Sequence, residues 1–256
     1  MSKLLSTTLL PTKPVKAVLI SGENKQVKNA LKQNFGIDII ETVPNPDMET
    51  PISTHADCLF LQIDKNTIIV DENNYNKIVN YFTSLTGEGC TEHKPDILIE
   101  KVSSPYPFDV KLNARVIGNK ILCHTLNMSD YIKEYAKNNK ITLIHTNQGY
   151  SACSTIILNN NALITDDESN YVSLKRNGID CILVTKGSVK LNGYNYGFIG
   201  GTCGMIDKNH LAFTGNLDSH NDAKLIKEFL NKHNIKYTEL TNGQLIDIGG
   251  IIPLSE

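Results

Sequence analysis

The sequence repeats one short pattern, two apolar segments around a polar turn, along most of its length. Residues 58–71 read CLFLQIDKNTIIVD and residues 153–166 read CSTIILNNNALITD, each running from Cys to Asp through an Asx-rich centre. Residues 203–215 (CGMIDKNHLAFTG) and 113–125 (NARVIGNKILCHT) have the same form. Apolar segments joined by a short polar turn predict β-hairpins. A repeat of this kind constrains the fold more than any single motif does.

The segments that follow the four hairpins also match one another, because each predicts a helix and then a strand. They read NYNKIVNYFTSL followed by DILIEKV, SDYIKEYAKNNKITLIHTN, SNYVSLKRNGIDCILVTKG and HNDAKLIKEFLNKHNIKYTELTNG. Each has a polar capping residue at its start and apolar residues at helical spacing.

A fifth copy is divided between the two ends of the chain. The segment ENKQVKNALKQNFGIDIIETV follows a lone strand, VKAVLIS, and the C-terminal segment QLIDIGGIIPL has no partner of its own. Pairing of the two ends closes a ring, as in propellers. The sequence therefore predicts an α/β fold, a five-bladed pseudo-symmetric propeller of ββαβ repeats of about 50 residues each, in a single domain over residues 1–256.

Composition excludes several classes of protein. The formal net charge is −2 with no basic stripe, so we expect no nucleic-acid partner. No apolar run is long enough to cross a bilayer and the start lacks a signal-peptide core, so we expect no membrane partner and a cytoplasmic location. The six cysteines form no CxxC pair and predict free thiols. Zinc-protease, P-loop and dinucleotide motifs are absent from the sequence, so we expect no metal and no cofactor.

A closed ring of five ββαβ units resembles the pentein fold of the guanidine-modifying enzymes, which include arginine deiminase, dimethylarginine hydrolase and the amidinotransferases. The resemblance covers essentially the whole chain and is nearest to a clostridial-type family of uncharacterised proteins with this fold. It implies a small-molecule ligand in a central channel. The superfamily also contains a non-enzymatic ribosome anti-association factor.

The repeats separate residues that serve the fold from candidates for a site. Acidic residues recur where a strand gives way to a helix, which is where a carboxylate caps the helix and interacts favourably with its dipole. We therefore assign a structural role to a set of acids and one histidine: Asp71, Glu72, Asp166, Asp167, Glu168, Asp218, Asp222 and His220.

Cys58, Cys153 and Cys203 open three of the hairpins, and this recurrence favours a packing role. By the resemblance, however, the hairpins start beside the channel, so a nucleophilic cysteine stays open among them. Cys90, Cys123 and Cys181 fall elsewhere and are expected to be core or loop residues.

One hairpin alone opens with His-x-Asp, at His55 and Asp57. Alternate residues of a strand project to one side, so both side chains are expected to face one pocket. Arginine deiminases have a comparable His-x-Asp, which implies that His55 is a general acid/base and that Asp57 binds a guanidinium. The alternative is that Asp57 satisfies a local backbone donor and that His55 is a partly exposed loop residue.

Glycine pairs are the second part of the resemblance, because the family's nucleophilic cysteine follows a Gly-Gly pair. The segment GGTCG at Cys203 is the best match and QGYSAC at Cys153 the second. The C-terminal pair, in DIGGIIPL, follows Asp247 but is followed by Ile251 and Ile252, where the family usually has its cysteine. The family's His and Cys repeats are also usually neighbours, whereas the repeat after His55 opens with KLNARV, which offers Asn113 and Arg115 but no cysteine.

Two hypotheses follow, and a third is weaker. In the first, Cys203 or Cys153 attacks a guanidinium carbon, His55 transfers protons, and Asp57, Asp247 and Asn113 bind the substrate. In the second, the protein binds a small cationic ligand or a macromolecule without catalysis. A metal site of channel-facing Cys and His residues lacks any short ligand spacing. The sequence leaves the oligomeric state open.

Overall fold

Five three-stranded sheets organise the structure, a computed structural model that describes residues 5, 7–86 and 94–256. In four sheets, here blades 2 to 5, an antiparallel hairpin is followed by a third strand parallel to its second strand. Their strands are β3 (Phe60–Gln62), β4 (Thr67–Asp71) and β5 (Asp96–Glu100); β6 (Arg115–Ile117), β7 (Lys120–Cys123) and β8 (Thr142–His145); β9 (Thr155–Asn159), β10 (Ala162–Thr165) and β11 (Asp180–Leu183); and β12 (Cys203–Asp207), β13 (His210–Phe213) and β14 (Lys236–Glu239).

Blade 1 joins the two ends of the chain. Its strands are β1 (Ala17–Ile20), β2 (Asp38–Glu41) and β15 (Ile252–Ser255). β1 is parallel to β2 and antiparallel to β15, with Leu19 opposite Ile252. The chain therefore folds as a five-bladed α/β propeller closed by its terminal segments, and the fold prediction is confirmed.

One longer helix connects the second and third strands of each blade. These helices are α1 (Lys25–Phe35), α3 (Tyr75–Thr86), α4 (Asp130–Asn139), α5 (Glu168–Arg176) and α6 (Ala223–Lys232), and a four-residue helix, α2 (Ala56–Leu59), precedes β3. None of the helices in the described residues is long and apolar enough to span a bilayer.

Capping residues fix where several of these helices begin. Asn24, Ser129 and Asp167 accept hydrogen bonds from the first turns of α1, α4 and α5. Asp71 does the same for a 3-10 turn before α3, so the structural assignment of Asp71 and Asp167 is confirmed.

The middle strand of each sheet is largely buried, because a neighbouring strand flanks it on each edge and side chains cover both faces. β1 and β10 are buried at every position, and Leu19, Ile68, Leu122 and Leu163 are fully excluded from solvent and belong to one apolar cluster. The cluster extends across four blades, so the sheets pack on one another around the ring.

A short segment precedes β3, β6, β9 and β12, and an equivalent segment precedes β15, which pairs with β1 to complete the hairpin of blade 1. We call these segments the inner turns: residues 53–59, 108–114, 150–154, 198–202 and 247–251. Cys58 and Cys153 lie two residues before the first residue of β3 and β9, whereas Cys203 is itself the first residue of β12. The expectation that all three cysteines occupy one repeat position is therefore wrong for Cys203.

Hydrogen bonds connect the five inner turns into a closed circle. The Asp57 N–H donates to the Gly249 carbonyl (3.1 Å), the Gly250 N–H to the Gly201 carbonyl (3.0 Å) and the Gly201 N–H to the Cys153 carbonyl (3.0 Å). The remaining two connections use one side chain. Asn113 Nδ2 donates to the Asp57 carbonyl (3.1 Å), and Asn113 Oδ1 accepts from the Ala152 N–H (2.6 Å).

Asp166 also fastens an inner turn, which is a different role from the predicted helix cap. Its Oδ2 accepts from the Ile199 N–H at 2.8 Å, while its Oδ1 is buried and accepts no hydrogen bond from a described residue. Burial raises the pKa of Asp166 to about 7, although the Ile199 N–H and Lys186 act in the opposite direction.

This shift predicts how stability depends on pH. Between the unfolded pKa of about 3.9 and the folded pKa of about 7, the folded chain keeps a proton that the unfolded chain loses. Ionisation therefore destabilises the folded state as pH rises through this window. Relative to wild type, Asp166→Asn should gain unfolding free energy between pH 4 and pH 7, by at most about 4 kcal/mol, in urea titrations.

Asp167→Asn is the matched control, with the opposite sign. Burial raises the pKa of Asp167, but Lys186, Gln148 and the Asn170 N–H lower it by more, so its stabilisation is lost as pH falls. A stability difference between wild type and Asp166→Asn that does not change with pH would contradict the proposed ionisation.

Candidate active site

Register along the five inner turns defines two sets of equivalent residues. Two residues before the first strand residue of each blade stand Cys58, Asn113, Cys153, Gly201 and Gly250, here called the ring residues. Three residues earlier stand His55, Val110, Tyr150, Phe198 and Asp247, here called the wall residues.

Four of the five wall residues surround one cavity of about 260 Å³ at the centre of the propeller. His55, Tyr150, Phe198 and Asp247 line it together with the ring residue Cys153. Ile52 and the segment between β11 and β12, through Leu191, Tyr194, Asn195 and Tyr196, complete the lining. The cavity therefore combines a thiol, an imidazole and a carboxylate with aromatic walls, at a size that suits a small ligand.

His55 and Asp247 face each other in this cavity. His55 Nδ1 lies 3.7 Å from Asp247 Oδ1, and both side chains are almost fully buried. The Phe198 and Gly249 N–H groups donate to the two oxygens of Asp247 at 2.9 and 3.0 Å. These two backbone hydrogen bonds hold the Asp247 carboxylate in place, with its Oδ1 close to the imidazole of His55.

Glycines make this packing possible. A Cβ on Gly201 would lie 1.8 Å from Asp247 Oδ1, and a Cβ on Gly249 would lie 2.4 Å from the Cα of His55. Gly249 also has a φ of +72°, which side chains other than glycine's rarely permit. The two Gly-Gly pairs therefore make room for His55 and Asp247, and neither pair has a cysteine at the ring position.

Cys153 lies at the floor of the cavity, beside a second thiol. Its Sγ is 3.9 Å from the Sγ of Cys58 and accepts a hydrogen bond from Asn113 Nδ2 at 3.0 Å. The same Nδ2 lies 3.4 Å from Cys58 Sγ. Asn113 was predicted to bind substrate, but its hydrogen bonds go to the ring and the thiols, which makes it a positioning residue.

Burial dominates the electrostatics of this floor. The pKa of Cys153 is raised well above its ordinary value by burial, by Cys58 and by the charge of Asp57, so its resting form is the thiol. A hydrogen bond with Cys153 lowers the pKa of Cys58, but burial and Asp57 raise it further, to about 11. Burial also raises the pKa of Asp247, against the opposing effect of His55.

Asp57 does not share the cavity with His55, so that expectation is wrong. Residues 56–59 form the helix α2 and His55 is its N-cap, so the strand alternation that would place both side chains on one side does not apply here. The Asp57 carboxylate is buried near Arg115 and Leu9, where neither oxygen accepts a hydrogen bond from a described residue. Its predicted contact with a substrate is therefore not a direct one in this arrangement.

Cys203 is also separated from His55. It packs in an apolar cluster and borders a void of about 20 Å³ that it shares with Arg115. Burial raises its pKa to about 12, although Arg115 opposes this. Arg115 donates to the Thr155 and Ala152 carbonyls at 2.9 and 2.7 Å and so fastens blade 3 to blade 4.

The five described cysteines are free and buried, and Cys90 lies outside the described residues. Cys123 and Cys181 belong to apolar clusters, and neither residue lines the cavity. Of the two predicted nucleophiles, Cys153 is the one that lines the cavity with His55 and Asp247.

A second cavity, of about 270 Å³, adjoins the first. The two share His55, Leu191 and Asp247, and the second extends to Asn24 and Lys25 at the start of α1. A wider cleft, of about 790 Å³, lies at the start of α5, and its lining includes neither a histidine nor a cysteine. His55 and Asp247 therefore lie at the junction of two chambers.

Sequence reasoning did not find the aromatic wall. Tyr150 stands three residues before Cys153, and Phe198 stands three before Gly201, which is the spacing of His55 from Cys58. Applied to all five repeats, that spacing identifies the wall residues. Tyr194 and Tyr196 belong to a segment outside the repeat, so repeat comparison could not identify them.

The chain belongs to DUF6873, a family of unknown function, which matches residues 19–252. A search of curated proteins finds no match.

Solved structures share the fold at low sequence identity. An amidinotransferase of saxitoxin biosynthesis from Microseira wollei is 11% identical with a TM-score of 0.56, over 92% of this chain and 91% of that one. The inosamine-phosphate amidinotransferase of Streptomyces griseus is 11% identical with a TM-score of 0.56, over 98% and 97%. The agmatine deiminase of C. jejuni is 9% identical with a TM-score of 0.52, over 94% and 90%. The chain therefore has the fold of the pentein superfamily.

The double role of Asn113 predicts a large loss of stability on its removal. Asn113→Ala leaves the buried Ala152 N–H without its acceptor and opens the circle of inner turns on both sides of blade 3. We expect unfolding free energy to fall by about 2–4 kcal/mol, measured by urea denaturation.

Asn160→Ala provides the matched control. Asn160 is exposed, and its Oδ1 accepts from the Gly118 N–H at 3.1 Å, so this variant also removes an amide that connects two blades. We expect a loss of less than about 1 kcal/mol there. Equal losses in the two variants would show that the circle does not contribute specially to stability.

Proposed function

We propose that this member of DUF6873 is a cysteine-dependent hydrolase or deiminase that acts on a small guanidinium- or amidinium-type molecule. The observation that carries the proposal is that Cys153, His55 and Asp247 line one cavity. These are a nucleophile, an acid/base and an anionic partner for a cation.

Recognition of a cation rests on the charge and the walls of the cavity. Asp247 Oδ1 accepts one backbone hydrogen bond and faces the cavity, so it has capacity for a planar cationic group. Tyr150 and Phe198, with ring centroids 6.0 Å apart, provide aromatic faces that attract a guanidinium. The shared junction with the second chamber leaves room for the remainder of the molecule on either side of His55.

The first half of the reaction forms a covalent intermediate. The Cys153 thiol transfers its proton to His55, and the sulfur attacks the central carbon of the bound guanidinium. The tetrahedral adduct collapses with cleavage of one C–N bond, and His55 returns the proton to the departing amine or ammonia. A thiouronium remains on Cys153.

Water completes the cycle. His55 takes a proton from a water molecule, whose oxygen attacks the thiouronium carbon. The C–S bond breaks, the thiolate regains a proton, and a ureido product leaves. The balance requires water alone, so the proposed reaction uses no cofactor.

The fold likeness supports this proposal, since the similar structures include two amidinotransferases and a deiminase by their names. The site differs from the family pattern stated above in two respects: His55 and Cys153 lie in repeats that are not neighbours, and the proposed nucleophile does not follow the C-terminal Gly-Gly pair. The nucleophile proposed here lies in the inner turn of blade 4, while Ile251 follows the C-terminal Gly-Gly pair. Membership of a clostridial-type family and a cytoplasmic location stay predictions, as does the absence of nucleic-acid and membrane partners.

A second candidate is a protein that binds a cationic small molecule without covalent chemistry. The strongly raised pKa of Cys153 favours it, because an inert thiol suits a binding protein. Under this hypothesis guanidinium compounds bind through Asp247 and are not turned over.

A pair of alkylating probes tests the proposal. Chloroacetamidine carries a cationic amidinium, and chloroacetamide is its neutral counterpart with the same leaving group. After each rate is divided by the rate with glutathione, Cys153 should prefer the amidinium by at least roughly tenfold, about 1.4 kcal/mol. Mass spectrometry of the labelled peptides assigns the reacting thiol.

Three variants show which residues are responsible for the rate and for the preference. In Asp247→Asn the preference should fall close to one, because the attraction for the cation is gone. In His55→Asn both probes should slow, because the proton acceptor is gone, and Cys203→Ser should match wild type. Labelling of Cys203 in place of Cys153, or a preference unchanged in Asp247→Asn, would contradict the mechanism, and inert thiols would favour the binding protein.

A further inference from the structure

Three potential metal ligands converge beneath the cavity. A carboxylate oxygen of Asp57 and the sulfurs of Cys58 and Cys153 lie within 4.8 Å of one another, and all three residues are buried. Asp57 and Cys58 come from the inner turn of blade 2, and Cys153 comes from that of blade 4. The sequence expectation of no metal rested on short ligand spacing, and this cluster combines two blades instead.

The separation of the sulfurs fits a shared metal ion. Two thiolates on tetrahedral zinc, each at about 2.3 Å, are about 3.8 Å apart. The sulfurs of Cys58 and Cys153 are 3.9 Å apart, so both could bind one ion with little movement. A disulfide, by contrast, requires a distance of about 2.05 Å.

Asp57 provides an independent indication of a ligand. Its side chain is 2% exposed, and neither oxygen accepts a hydrogen bond from any residue in the described part of the chain. A buried carboxylate in this condition is unfavourable unless a cation or a donor satisfies it. One of its oxygens lies within 4.8 Å of the two sulfurs, where a metal ion would do so.

Neighbouring side chains are placed to orient the two sulfur ligands, and binding of a dication would leave the charge of the cluster unchanged. Asn113 Nδ2 lies 3.0 and 3.4 Å from the two sulfurs, which is the arrangement of a donor that orients thiolate ligands. The buried Arg115 guanidinium interacts with the charges of Asp57 and Cys153. Exchange of two thiol protons for one dication leaves the total charge of this group unchanged.

We propose that Asp57, Cys58 and Cys153 form a binding site for a thiophilic divalent cation, with Zn(II) as its representative. Binding forms two metal–sulfur bonds and one metal–oxygen bond and releases the two thiol protons to solvent. Three protein ligands would leave a fourth position for water or another donor.

Metal binding and covalent catalysis exclude each other at this site. A coordinated Cys153 sulfur donates its electron pair to the metal and is not free to attack carbon. This consequence, unlike the site itself, rests on the proposed function. The cation is then a reversible inhibitor that a chelator removes.

Cobalt(II) tests the site without reference to activity. Reduced, chelator-treated protein is titrated with cobalt under anaerobic conditions. We expect one cobalt per chain, with a sulfur-to-cobalt charge-transfer band and the visible bands of tetrahedral cobalt, all abolished by one equivalent of zinc. Cys58→Ala and Asp57→Asn should weaken binding by more than roughly tenfold, the effect that loss of even an outer-shell partner produces.

Cys203→Ala is the control, because it removes a buried cysteine outside the cluster and should bind cobalt like wild type. Zinc X-ray absorption on the wild-type protein requires no variant and should show two sulfur neighbours at about 2.3 Å. A shell of nitrogen and oxygen alone, or cobalt bands that persist in Cys58→Ala, would overturn the site. Probe selectivity in chelator-treated protein addresses the hydrolase separately, so the two proposals fail independently.

Discussion

The closed circle of hydrogen bonds through the five inner turns is the constraint on which the site depends. Three of its connections join backbone groups, and the other two pass through the single amide of Asn113. The pairing of β1 with β15 closes the ring of blades. The five inner turns then meet, and they bring together residues that are far apart in sequence. His55 and Asp247, which face each other at 3.7 Å, are the clearest result of this convergence.

Equivalent positions in the five repeats carry side chains of several chemical types. The wall residues are an imidazole, two aromatic rings, a carboxylate and one valine, and the ring residues are two thiols, an amide and two glycines. Glycine at Gly201 is required because any larger residue would displace Asp247. Fold requirements and site requirements therefore meet on the same turns, and a substitution there affects both stability and chemistry.

The sequence predicts the fold well because its repeats carry the information. Hairpin, helix and strand recur in the same order in every repeat, and the unmatched terminal strands indicate the closure that β1 and β15 make. Side-chain directions are less predictable. Asp57 was expected beside His55, but a single helical turn at α2 directs it towards Cys58 and Cys153. The contact of Cys58 with Cys153 joins residues 95 positions apart, which depends on how the blades meet and not on local pattern.

The central claim is that Cys153, His55 and Asp247 act together on one cation in one cavity. A crystal structure of the protein after reaction with chloroacetamidine tests it most directly. The account predicts continuous density from Cys153 Sγ into the cavity, with the amidinium hydrogen-bonded to Asp247 and beside His55. An adduct on Cys203, or an amidinium directed away from Asp247, would contradict it.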